Sequence, residues 1–351
     1  MIFLFHLECG FFYFSDRIPS EASFSRFAKK LSESKALEDV QETLLLQAIQ
    51  EGFITDDVVA IDATHFESRD QSTPQEKKPK AEPKKRGRKP KAEQEVFQKE
   101  KNKNDINRKP CTKKTIEDQL DVDLETLRTT VPIEPNWGIK KKIVKGRTHF
   151  WFGFKAHLAV GSKSQYILQS LMSSASLNDG KAAIPLLKGI QERLSSLCIR
   201  YGTLDAGYDY EAIYQQLHHM KAKAIIAYNK RNEGELLGFD EHFAPTCVRE
   251  YSYRYDSFDE KYQTLKYTQP SECKTCPLAH DSLCQKVYKV KMETDIRKYC
   301  APGRGSEAWK KTLQSEKCCG TSECLFKRVL SVEKKCSISN RKARKSPFLT
   351  L

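Results

Sequence analysis

Three acidic residues stand in settings that suit chemistry on phosphate. Asp62 lies in the β-branched run Val58-Val-Ala-Ile-Asp-Ala-Thr64. Asp205 closes the apolar run that starts at Leu197, and Glu323 falls on a segment with helical spacing from about Thr321 to Leu330. Two-metal phosphoryl transfer asks for such a trio: a pair of Mg²⁺ ions roughly 3.5–4 Å apart stabilises the attacking and leaving oxygens of an in-line displacement. Hard cations take oxygen ligands, so Asp and Glu suit them and Cys does not. Singly, a strand Asp beside a turn is more often a cap or a surface carboxylate. The weight comes from there being three, each on an element that could present it, and a fold must gather them from remote parts of the chain.

The cysteines suggest a different metal. The chain has 12 of them, and in a reducing compartment free thiols or metal ligands are the expected states. Cys273-Lys-Thr-Cys276 is a CxxC, Cys284 follows it, and Cys300 completes a candidate tetrahedral zinc set, with His280 as another possible ligand. A loop of reduced thiols is the bland alternative.

Charge points to a polyanionic partner. Lys and Arg number 60 against 46 Asp and Glu, a formal net charge of +14. The excess is concentrated: 16 Lys and Arg face 5 Asp and Glu between Lys77 and Lys114, a net of +11. Within it, Lys84-Lys-Arg-Gly-Arg-Lys-Pro-Lys91 resembles the core of an AT-hook, in which Gly between arginines lets extended backbone enter a minor groove. Lys85, Arg86, Arg88 and Lys89 are the candidate DNA contacts there; a solvated linker is the competing reading. No apolar run approaches the length of a bilayer span, and the apolar start, lacking a basic flank and cleavage site, is not read as a signal peptide. A cytoplasmic, nucleoid-associated location is expected.

The elements that must position these residues read as a mixed α/β domain. Residues 1–55 form an N-terminal helical region, capped by Asp16 or Ser20, with Phe24, Phe27 and Leu31 on one face. Residues 56–69 hold the first strand. Residues 70–136, rich in Lys, Pro, Glu, Gln and Asn, read as a disordered basic insertion. The core resumes over 137–230. There a strand from Phe150 to Val160 sets Phe154, Ala156, Leu158 and Val160 on one face and Lys155 and His157 on the other. A hairpin partner, a helix from Asp179, the Asp205 strand, a helix capped by Asp209 and a strand from Ala224 follow. Residues 231–305 read as an irregular Cys-containing insertion, 306–330 as the glutamate helix, and 331–351 as an irregular tail.

Several of these segments resemble the DDE transposases of bacterial insertion sequences. Asp16-Arg-Ile-Pro-Ser-Glu-Ala-Ser-Phe-Ser-Arg-Phe27 looks like that family's N-terminal region, and Ala60-Ile-Asp-Ala-Thr64 like its first-aspartate strand. Phe152-Gly-Phe-Lys-Ala-His157 is similar to its second strand, and Thr203-Leu-Asp-Ala-Gly-Tyr-Asp209 to its second-aspartate motif. Arg304-Gly-Ser-Glu-Ala-Trp309 leading into Gly320-Thr-Ser-Glu-Cys-Leu-Phe-Lys-Arg328 resembles its glutamate helix. The resemblance implies a ribonuclease-H-like core and a Mg²⁺ (or Mn²⁺) site on Asp62, Asp205 and Glu323. It also implies double-stranded DNA, as transposon ends and target, for a partner, and a homodimer when two ends are brought together. Lys155, His157, Lys327 and Arg328 would lie toward the DNA, and Tyr208 near the acids. Cys324 stands where the family usually carries Arg, and both ends depart from the family pattern, so a shortened copy is expected. The alternatives are a remnant that binds DNA without cutting it and a metal-dependent nuclease without strand transfer.

Overall fold

The computed structural model describes residues 20–68, 115–141, 148–234, 236–278 and 284–313. Two helices come first, α1 (Glu21–Glu33) and α2 (Ala36–Gln50). Ser20 is the cap of α1, its hydroxyl accepting from the Ser23 N–H at 3.2 Å. Phe24 and Phe27 share a face, yet both remain exposed. Ion pairs hold α2 to the body: Glu38 binds both Arg128 and Arg193, the second at 3.0 Å.

The centre is a six-stranded mixed sheet. It comprises β1 (Val58–Glu67), β2 (Asn136–Lys141), β3 (Thr148–Gly161), β4 (Ile167–Ser174), β5 (Tyr201–Leu204) and β6 (Lys223–Ile226). The path runs β2-β3-β1-β5-β6, and β4 also pairs with β3. β1 lies antiparallel to β3 and parallel to β5, and β5 is parallel to β6. Hairpin-linked strands pair antiparallel. Parallel neighbours require a crossover, which α4 (Gly180–Arg193) and α5 (Glu211–His219) supply. Setting β2 aside, the order β4-β3-β1-β5-β6, with three antiparallel strands leading and two strand–helix repeats following, is that of a ribonuclease-H-like α/β domain.

Alternation along the strands sorts the core. Val59, Ile61, Ala159 and Leu171 join Ala183, Ile184 and Leu187 of α4 and Ile213 and Leu217 of α5 in the main cluster. Ala60, Phe66, Phe154, Ala156, Leu158, Val160 and Met172 form a second cluster on the other face. β1 runs three residues beyond Thr64, so Asp62 is central in its strand rather than near its end. The extension depends on Gly153: a Cβ there would collide with the backbone of Phe66 and Ser68, where β1 crosses closest to β3.

Three expectations are corrected here. The insertion placed at 70–136 does not reach 136. Asp123 caps α3 (Leu124–Thr130), whose Leu124 and Leu127 enter the main core with Ile116; residues 69–114 lie outside the described part. Asp209 does not cap α5, which starts after Tyr210; its carboxylate is fully buried and ion-paired. The span 231–305 is not merely irregular. It contains a three-stranded antiparallel sheet, β7 (Arg254–Asp259), β8 (Thr264–Thr268) and β9 (Val287–Lys291), with its own cluster around Tyr253, Leu265, Tyr267 and Val290. The short helix α6 (Glu307–Leu313) closes the described chain. Among the described residues no helix is long and apolar enough to cross a membrane.

Candidate active site

The first two acids meet because two strands run side by side. Ile61 pairs with Leu204 at the last register position of β1 and β5, so Asp62 and Asp205 are the next residues along, where the strands part. Asp62 is half-buried; Asp205 is the more open and introduces a single 3₁₀ turn, Ala206–Tyr208. Backbone donors fix both side chains. The Ala63 N–H donates to Oδ1 of Asp62 at 2.7 Å, and the Gly207 N–H donates to Oδ1 of Asp205 at 2.8 Å. The Tyr208 N–H also acts on the Asp205 carboxylate and favours its charged form.

Both carboxyls are pushed above the ordinary Asp range. Partial burial is the main cause at each; the charge of Asp205 adds to it at Asp62, and that of Asp179 acts on both. Lys140 of β2 pulls in the opposite direction at both. The sequence reading passed over Asp179 and Lys140. Asp179 was hidden by its position, since an acid before a helix reads as a cap. Its side chain makes no capping bond to α4 and instead pairs with Lys155 at 2.8 Å. Lys140 lies on a short strand with no motif of its own.

Lys155 and His157 are placed differently from the expectation that they face DNA. The Lys155 ammonium donates to Asp179 and to the Leu177 carbonyl at 2.9 Å. His157 has no exposed surface: its Nε2 lies 2.8 Å from Ser173 Oγ, and burial lowers its pKa to about 4. A buried, neutral imidazole offers a phosphate nothing, so His157 is a core residue. Tyr208 also belongs to the main core. Glu323, Lys327 and Arg328, like Lys85, Arg86, Arg88 and Lys89, lie outside the described residues.

The cysteines divide. Cys273, Cys276 and Cys284 border one cavity, but Cys300 does not share it. Cys300 is buried in the main core near Arg304, and burial raises its thiol pKa. Cys300 therefore drops out of the expected zinc set. Cys247, which the sequence reading left unassigned, lines the cavity instead.

Two carboxylates side by side where β1 and β5 cease to pair, on this strand order, define a ribonuclease-H-like domain. The comparison with family models narrows the class: the transposase DDE domain model matches residues 116–293, half of the chain, and the chain belongs to that family. The match contains Asp205, begins after Asp62 and ends before Glu323. Neither the curated proteins nor the solved structures give a match to the chain.

Proposed function

We propose that the protein is a DNA transposase of an insertion sequence, cutting at transposon ends and joining the freed 3′-hydroxyl to target DNA. The observation that carries this reading is that Asp62 and Asp205 directly follow the last paired residues of β1 and β5, Ile61 and Leu204, in a chain of the transposase DDE domain family. Two neighbouring carboxylates with raised proton affinity fit a hard divalent cation in chemistry and charge. Among the described residues, no three such ligands already form a metal-holding group, and Glu323 is proposed as the third. Bound divalent ions would supply the charge that activates the attacking oxygen and stabilises the leaving one.

The chain's own residues prepare that chemistry. The Ala63 and Gly207 amides orient the two carboxylates before any substrate arrives. Lys155 holds Asp179 at the edge of the site, so its negative charge bears on both acids without competing as a free ligand. In the cutting step the attacking water loses a proton, the P–O3′ bond breaks and a 3′-hydroxyl is released. In joining, that hydroxyl displaces an O3′ from a target phosphate. The basic segment from Lys77 to Lys114 and the residues Lys327 and Arg328 are proposed as backbone contacts.

Incubation with Mg²⁺, labelled DNA carrying the element's ends and a supercoiled target tests the reading. Joined products from wild type and none from Asp205→Ala are expected. Cutting without joining would favour a nuclease, and identical behaviour of the two proteins a non-catalytic DNA binder.

A further inference from the structure

We propose that Cys247, Cys273, Cys276 and Cys284 form a four-thiolate zinc site that pins together the loops of the second sheet. The four residues come from three separate stretches. Cys247 lies in the turn region ahead of β7, Cys273 and Cys276 in and just after the 3₁₀ turn that follows β8, and Cys284 just ahead of β9. All four line the same cavity, of about 40 Å³, and all are free thiols. That volume exceeds the space one water needs, which is room for a single ion.

The rest of the lining selects the kind of ion. Val248, Arg249, Tyr251 and Leu278 complete the wall, and it contains no carboxylate. Thiolates without oxygen ligands suit Zn²⁺ and exclude Mg²⁺. The surroundings also suit the charge that a metal-bound thiolate carries. The Leu278 N–H donates to the Cys276 sulfur, and a guanidinium nitrogen of Arg249 lies 3.9 Å from it. Donors to the ligand sulfur are the usual outer shell of such sites.

The local fold has a use for a staple. β7, β8 and β9 are five or six residues each, over a cluster of seven buried residues, and a core that small gains much from a metal that binds only the folded form. Among the described residues, no three ligands already stand in a metal-holding group, so binding draws the sulfurs inward by side-chain rotation. The balance is simple: Zn²⁺ and four thiols give one tetrathiolate complex and release four protons, with no change in oxidation state.

Metal analysis of the full chain, purified under reducing conditions without chelator, tests this directly. One zinc per chain is expected, released on titration with a mercurial. Cobalt substitution should give thiolate-to-metal charge-transfer bands and the visible bands of a tetrahedral ion. Cys247→Ser should lose the metal, whereas Cys300→Ser and Cys198→Ser keep it. If Cys247→Ser fails to fold, sulfur coordination in the wild-type cobalt protein, counted by X-ray absorption, decides: four sulfurs support the site and three or fewer overturn it. Reduced wild-type protein without zinc, a disulfide among the four, or full zinc in Cys247→Ser on a folded chain would equally overturn it.

Discussion

At the scale of residues, Asp62 and Asp205 are placed at a cost. A carboxyl whose folded pKa lies above its unfolded value binds protons more readily in the folded state. Its unfavourable contribution is absent at low pH and sets in as pH rises through the two values. Asp62→Asn should therefore raise the melting temperature at neutral pH in chelator. The gain should vanish below the ordinary Asp range, and a melting temperature lowered at neutral pH would contradict the stated electrostatics. His157 has the opposite sign. Its pKa is lowered to about 4, so the stability it lends is complete above the unfolded value of about 6.5 and is lost as pH falls toward 4. The loss is on the order of 3 kcal/mol at one kcal/mol-scale increment per pKa unit. In His157→Gln that part of the acid transition should disappear from the stability–pH curve; an unchanged curve would mean the imidazole is not buried neutral.

At the scale of elements, the second sheet is joined to the ribonuclease-H-like domain by buried charge. Arg297 donates to Asp209 at 2.7 Å and to Glu233 at 3.1 Å, and Asp209 also accepts from Tyr214 Oη at 2.9 Å and the Asn229 N–H at 2.9 Å. Arg304 completes the joint through the Ile226 carbonyl and the Tyr214 hydroxyl, at 2.6 and 2.7 Å. Removing one partner leaves a buried charge unpaired, which costs about 3–5 kcal/mol. Arg297→Met should lose about that in chemical denaturation, and Asp209→Asn combined with Arg297→Met should recover most of it. If the double variant is as unstable as the single one, the joint is not held by this pair. The same joint shows where sequence reading stops. β1, β3, β4 and β5 were legible because apolar runs, β-branched in β1 and alternating in β3, carry their own signal, and Asp205 because it ends such a run. The pairing that brings Asp62 beside it is a long-range register that no local pattern encodes. Asp209 looked like a cap because the residue type fits the helix start, while its real partner, Arg297, is remote in sequence. β7 to β9 escaped notice because their polar, half-exposed strands lack the alternation that betrayed the core, and Cys247 because a lone Cys far from the CxxC has no spacing to recommend it.

At the scale of the whole molecule, the proposed function joins two features: a carboxylate pair proposed to cut phosphodiesters and a net charge of +14, of which +11 falls between Lys77 and Lys114. Binding through phosphates releases counterions, so affinity falls with salt in proportion to the contacts made. Deleting residues 77–114 should make the slope of log affinity against log salt clearly shallower while leaving the folded domain's melting temperature unchanged; an equal slope would remove that segment from the DNA interface. The central claim, that Asp62 and Asp205 form one cutting centre, is tested most directly by Mg²⁺-dependent nicking of supercoiled plasmid, comparing wild type with Asp62→Asn, Asp205→Asn and the surface control Asp256→Asn. Each of the first two should slow nicking on the order of 100-fold or more, the usual cost of losing a group that stabilises transition-state charge, and the control should nick like wild type. Nicking at the wild-type rate by a folded Asp205→Asn protein would contradict the account.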